Sequence, residues 1–298
     1  MSTPRGPLEG VRLALLDIDG TLVLGESLEL ANVATQLARL RQLGVQFSIA
    51  TGRTIAGAGP VVRALGVQAV RGCLIAYNGA VTGNVDGTPW IHRSTICPGD
   101  ARAVAHEALA LGLSPLIYCC RQHLDIHDAE YVLAQQGTWR SGDREFNGMA
   151  VSVVPSLADH DLGDAISMLI SCRPSQGDQR RLVDNLRSRV SGATCIECAG
   201  AYVEVRGART NKLEAARAVA SHLALELGQV MAIGDNTNDL ALVGGVGFGV
   251  AVSNSPTELK SVASYTCQRP GPAGVVEALR MLADTIRARR RVTDVREA

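Results

Sequence analysis

Two aspartates, Asp17 and Asp19, stand two residues apart directly after the apolar run VRLALL. Far along the chain, GDNTND places Asp235, Asn238 and Asp239 after a second apolar run, and Thr51-Gly52-Arg53 follows a third. A carboxylate is an established nucleophile toward phosphorus, forming an acyl phosphate. Asp17 fits that part, and Asp19 can protonate the leaving oxygen and then activate water. Charge spreads over the oxygens of a transferring phosphoryl group, so catalysis needs donors placed around it. Thr51, Asn238 and the backbone amides near Gly20 and Gly52 offer neutral donors. Lys212 offers a compact positive charge. Carboxylates crowded at one place repel unless a cation lies among them, and hard oxygen ligands beside phosphate suit Mg2+.

Lys212 stands out by scarcity. Lys212 and Lys260 are the only lysines among 29 basic residues. A lysine kept in so arginine-rich a chain points to a role that a planar guanidinium cannot fill.

These groups meet only if the fold gathers strand ends. Val11–Leu16 reads as a buried parallel strand, a helix follows to Leu43, Val45–Ala50 is a second strand, and a third, Cys73–Tyr77, leads to Asn78-Gly79-Ala80. That alternation predicts a Rossmann-like, doubly wound parallel α/β sheet, whose carboxyl strand ends converge on one crevice. The rhythm returns at Lys212, with a helix, the strand Val230–Ile233, and a glycine-rich strand within Gly244–Val252. Asp239 also reads as the N-cap of a helix over Leu240–Val243.

Between these halves paired strands alternate with helices, which predicts an inserted α+β cap with an antiparallel sheet. A helix is expected over Gly99–Leu111, a strand pair over Leu116–His127, and further helices from Leu157 and over Asp178–Val190. The boundaries read as core 1–81, cap 82–207, core 208–284 and an arginine-rich flexible tail 285–298.

Composition narrows the function classes. A net charge of zero and only 3% aromatic residues argue against nucleic acid as a partner, and nothing recruits an anionic membrane. No apolar run approaches a membrane span or a signal peptide, so the expected location is cytoplasmic. Eight cysteines without a secretory signal read as reduced thiols. Cys195 and Cys198 form a CxxC pair, but a structural zinc site needs a second pair at matching spacing. Cys119 and Cys120 read as small hydrophobes.

DIDGTL, ATGR, NK and GDNTND, in this order, resemble the four motifs of the haloacid dehalogenase-like hydrolases. Aspartate at both positions of the first motif resembles the phosphatase branch. IAYNGAVTGNVDG and GVAVSNSPTELKSVASYTC are similar to stretches of its Cof-type members, where both lysines also fall on usual lysine positions. The resemblance implies Asp17 as nucleophile and Asp19 as acid/base. It implies Mg2+ held by the Asp17 side chain, the Asp19 carbonyl and Asp235, with phosphate bound by Thr51, Gly52, Lys212 and Asn238. Asp239 would support the metal or the lysine from behind. One position departs from the pattern: Leu213 follows Lys212, where the family commonly has glycine. The long stretch between Arg53 and Lys212 resembles a type-two, subclass B cap, a lid that selects substrate.

Within that cap, His123, Asp125 and His127 alternate and would share one strand face, as a specificity surface, a metal site or a solvated face. Arg140, Arg144 and Glu145 are further specificity candidates. The expected substrate is a phosphorylated small metabolite, with sugar phosphates the default. Phosphoryl transfer within a substrate, as in mutases, uses the same covalent chemistry. A non-catalytic phosphate-binding module would have no need of both Asp17 and Asp19.

Overall fold

The computed structural model describes residues 7–25, 30–67, 72–85, 90–121, 129–138, 149–172, 177–198 and 202–297. The chain divides into two compact units. One comprises 1–53, 58–91 and 211–298; the other comprises 54–57 and 92–210.

The first unit is built on an eight-stranded sheet. Its strands are β1 (Leu13–Leu16), β2 (Gln46–Ala50), β3 (Cys73–Ala76), β4 (Val81–Asn84), β5 (Trp90–Arg93), β12 (Val230–Gly234), β13 (Phe248–Ala251) and β14 (Tyr265–Thr266). Their spatial order is β14-β13-β12-β1-β2-β3-β4-β5. All pairs from β14 to β3 are parallel. The chain therefore winds one way from β1 to β3 and the other way from β12 to β14, with the switch between β1 and β12. Ligands of open α/β sheets bind at such a switch.

Helices cover this sheet, so the central strands are apolar on both sides. Leu13 and Leu15 of β1 pack with Ala215, Ala216 and Val219 of α5 (Lys212–His222) and with Leu242 of α6 (Leu240–Gly245). Ala14 and Leu16 alternate to the opposite face and are equally buried. α1 (Ala31–Gln42) packs on α8 (Gly271–Glu297), while α2 (Ile55–Ala64) and α7 (Thr257–Val262) complete the helical layers.

β4 runs antiparallel to β3. The expected boundary at residue 82 is thus too early, because a hairpin continues the core sheet and keeps the chain in the first unit to Ile91. The arginine-rich end, expected as a flexible tail, is helical to Glu297. It gains an anchor from Arg289, 3.5 Å from Glu9, and from Arg290, which donates to the Leu43 carbonyl at 2.7 Å.

The second unit has a six-stranded sheet of order β10-β11-β9-β6-β7-β8. Its strands are β6 (Ser114–Cys120), β7 (Glu130–Gln135), β8 (Ala150–Val154), β9 (Ala165–Ser171), β10 (Ala193–Cys198) and β11 (Tyr202–Gly207). It is antiparallel except for the β7–β8 pair, which is parallel. α3 (Pro98–Ala110) and α4 (Gly177–Leu186) pack on it through Val104, Ala108, Leu182 and Leu186. The helix expected from Leu157 does not form. Leu157 and Leu162 enter the core from an irregular segment, with the Leu157 amide donating to Gln135 Oε1 and the Gly163 amide to Asp161 Oδ1.

All eight cysteines are free thiols. Cys119 and Cys120 are fully buried in β6, and burial pushes the Cys119 thiol up to about 12. Cys195 and Cys198 lie on one strand three residues apart, so they point to opposite faces and cannot chelate together or bridge. Among the described residues, no helix is long and apolar enough to cross a membrane.

Candidate active site

Five neighbouring parallel strands end in polar residues on the same edge of the first unit's sheet. Taken across the sheet, Asn254 comes three residues after β13, Asp235 directly after β12, Asp17 after β1, Thr51 after β2 and Asn78 two residues after β3. The clustering is a product of strand order, since these residues span most of the sequence.

Asp17 is 4% exposed and Lys212 is fully buried. The lysine Nζ donates to Asp17 Oδ1 at 2.6 Å and to Asp239 Oδ1 at 2.7 Å. A buried ammonium needs such partners, since desolvation alone would strip its proton. Burial works against the charge on Lys212, but the two carboxylates outweigh it and hold the ammonium above its ordinary value. Lys212 is the first residue of α5, whose N-cap is Asn211; the Asn211 side chain accepts from the Glu214 amide at 3.0 Å.

Asp239 is spent. Its Oδ1 takes the lysine, and its Oδ2 accepts the amides of Asp235 at 3.1 Å and Asn236 at 3.2 Å. It thus shapes the turn after β12, in a capping arrangement with Asn236. Asp17, Asp235 and Asp239 bring oxygens within 4.8 Å of one another. Burial raises the Asp17 carboxyl well above the ordinary range, against the pull of Lys212, and Asp239 and Asp235 add to the rise. Asp235 is also raised, chiefly by burial. With Asp239 already committed, Asp17 and Asp235 are two crowded hard-oxygen ligands with elevated affinity for a positive charge. That donor set fits a small divalent cation.

Asp19 differs from Asp17. Its side chain is 61% exposed and is gripped by Arg53 through both oxygens, with Nε at 2.9 Å from Oδ2 and Nη2 at 2.5 Å from Oδ1. Two residues of one turn thus hold one buried and one solvent-facing carboxylate.

Thr51 is fully buried, and its Oγ1 accepts the Arg53 amide at 3.1 Å, which leaves the hydroxyl proton for another acceptor. Asn238 donates from Nδ2 to Asn78 Oδ1 at 3.0 Å, and its own Oδ1 is buried with no partner among the described residues. Gly52 lies against the same asparagine: a Cβ there would come within 3.1 Å of Asn78 Oδ1.

Leu213 fills space that α6 leaves open. A Cβ on Gly245 would approach Leu213 Cδ2 to 2.5 Å, so the leucine beside Lys212 is accommodated by a glycine opposite.

The structure therefore brings together Asp17, Asp19, Thr51, Gly52, Lys212, Asp235, Asn238 and Asp239 along one sheet edge and the turns beside it. Lys260 lies apart from them in α7 and is partly exposed. His123, Asp125 and His127, and likewise Arg140, Arg144 and Glu145, fall outside the described residues. Sequence reasoning passed over Thr21, Asn78 and Asn254. Asn78 carried the same signal as Thr51, a polar residue just past a buried strand. A cavity of about 770 Å3 bordered by Leu24, Val33, Pro270, Pro272 and Arg280 shares none of these residues.

Several known proteins resemble the chain over nearly its full length. YxeH of Bacillus subtilis (strain 168), which carries a provisional phosphatase name, is 25% identical over 280 residues, covering 91% of this chain and 98% of that one. The crystal structure of a haloacid dehalogenase-like hydrolase from Bacteroides thetaiotaomicron superposes with a TM-score of 0.77 at 22% identity, covering 91% and 99% of the two chains. The subclass IIB sugar phosphatase BT4131 gives a TM-score of 0.69 at 18% identity, covering 91% and 98%. The sequence profile of the haloacid dehalogenase-like hydrolases matches residues 14–279. With that match spanning most of the sequence, the chain belongs to the haloacid dehalogenase-like hydrolase family.

Proposed function

We propose that the protein is a Mg2+-dependent phosphatase that hydrolyses phosphate monoesters of small metabolites through an aspartyl-phosphate at Asp17. The observation that carries this reading is the setting of Asp17, a buried carboxylate at the sheet's switch point with Lys212 Nζ 2.6 Å from one oxygen. A nucleophile so placed is held in position and has its charge partly balanced before substrate arrives. Membership of the hydrolase family and the phosphatase names of similar proteins support the same assignment.

An Asp17 oxygen attacks phosphorus while the bond to the leaving oxygen breaks, and Asp19 gives that oxygen its proton. Asp19, now a carboxylate, takes a proton from water as the water oxygen attacks phosphorus and the Asp17 oxygen–phosphorus bond breaks. Phosphate leaves and both aspartates are restored. Thr51 and Asn238, with the Gly52 amide, donate to the phosphoryl oxygens, and Lys212 supplies positive charge beside Asp17. A cation would be held by Asp17, Asp235 and the Asp19 carbonyl, and would supply charge stabilisation for the phosphoryl oxygens. Sugar phosphates are the first substrates to try, since a structural neighbour is a sugar phosphatase.

Phosphate release from a panel of phosphorylated metabolites in MgCl2 tests the reading. Turnover should disappear in Asp17→Asn and in EDTA. Hydrolysis that survives the substitution would sink the covalent mechanism, and hydrolysis that survives EDTA would sink the cation.

A further inference from the structure

The carboxylate of Asp235 is held differently from those of its neighbours. Asp17 and Asp239 share the Lys212 ammonium. Asp235 meets neutral donors instead: Thr21 Oγ1 lies 3.1 Å from its Oδ1, and Asn254 Nδ2 lies 3.5 Å from its Oδ2. Neutral donors orient a carboxylate without forming an ion pair with it.

Asn254 also reaches the turn that follows Asp17. Its Nδ2 donates to the Gly20 carbonyl at 3.0 Å, and its Oδ1 accepts the Gly271 amide at 2.9 Å where α8 begins. The Gly271 bond fixes which end of the carboxamide faces the site, because an amide nitrogen can only donate to an oxygen. The NH2 must then point at Gly20 and Asp235. The two segments it joins are already in contact. Gly20 sits at φ +78°, and a Cβ there would overlap the Asp235 carboxylate. Asn254 itself is anchored from both sides, by the Ser253 amide on the Arg269 carbonyl at 3.1 Å and by the buried Ser255.

We propose that Asn254 is a positioning residue of the cation site. It pins the turn after Asp17 and the Asp235 carboxylate to one frame, the start of α8, so that their oxygens are in place before a cation binds. This rests on the reading of Asp17 and Asp235 as cation ligands. Partners that orient metal ligands are typically worth 10–100-fold in metal affinity.

The test is calorimetric titration of the full chain with MgCl2, with no substrate present. Asn254→Ala should weaken Mg2+ binding about 10–100-fold, while its melting in EDTA stays cooperative. The Mg2+ concentration for half-maximal phosphatase activity should rise by the same factor, with kcat at saturating Mg2+ preserved. A measurement on the wild type covers the case of a variant that does not fold: the Asn254 side-chain NH2 resonances should shift on adding Mg2+. If the wild type binds Mg2+ and Asn254→Ala binds it equally, or the resonances stay still, Asn254 has no such role. If the wild type binds no Mg2+, the cation reading falls and takes this proposal with it.

Discussion

Lys212 Nζ lies 2.6 Å from Asp17 Oδ1 inside a site where the lysine is fully buried and the aspartate 4% exposed. Asp239 shares the ammonium from the other side at 2.7 Å. Removing the lysine therefore strands two carboxylates in a dry pocket. Breaking a buried pair from one side typically costs about 3–5 kcal/mol, and Lys212→Met should lose that much in urea denaturation at neutral pH without metal. The loss should shrink as pH falls, because the stranded carboxylates then take up protons. Phosphate release should vanish as well. An unchanged unfolding midpoint would mean that the lysine does not neutralise the pair.

Leu213 and Gly245 predict a second, local effect. A methyl on Gly245 would meet Leu213 Cδ2 at 2.5 Å and Cδ1 at 2.8 Å. Overpacking of this kind costs about 1–3 kcal/mol, so Gly245→Ala should destabilise by that amount. With Leu213→Ala in the background the same change should be neutral or stabilising, since alanine is the better helix former. A double-mutant cycle by denaturation measures the coupling, and additive effects would show that the two positions do not share space.

The placement of the candidate site was more legible in the sequence than the supports around it. Asp17, Thr51 and Asp235 each follow an apolar run, and parallel strands put such residues on one edge whatever their separation. Asn254 had no comparable mark. Its value comes from contacts to Gly20 and Gly271, which the sheet order creates and local pattern cannot show. The helix expected from Leu157 does not form: Leu157 and Leu162, five residues apart and so not on one helical face, enter the core from turns. The CxxC pair, already discounted for want of a second ligand pair, sits on a strand, where that spacing points its ends apart. The core sheet runs past the expected boundary because β4 returns antiparallel to β3 through the turn at Asn78-Gly79.

Asp19 should separate activity from stability. Its side chain is 61% exposed, and Arg53 grips it on the surface. Exposed ion pairs contribute only about 0–1 kcal/mol, so Asp19→Asn should leave the melting temperature nearly unchanged. A general acid and base is worth about 10²–10⁴ in rate, and kcat should fall by that factor with Mg2+ affinity retained. Full activity in Asp19→Asn would assign the proton transfers elsewhere.

Asp17 leaves a signature in the pH dependence of stability. An unfolded aspartate titrates near pH 4, whereas burial raises the folded Asp17 well above that. Between the two values the folded state holds a proton that the unfolded state has lost. Stability then falls as pH rises, because the folded state binds more protons. The contribution is fully present below the unfolded value and is lost as pH climbs through the folded one. Asp17→Asn cannot titrate there, so the stability of the wild type minus that of the variant should decline from pH 4 upward and level off once Asp17 is ionised in both states. Urea denaturation in EDTA at successive pH values gives the difference directly. Added Mg2+ should oppose the decline, since cation binding favours the ionised carboxylate. A difference that stays flat with pH would mean that Lys212 alone sets the charge of Asp17, and that the crowding of carboxylates around it is not what readies the site for a cation.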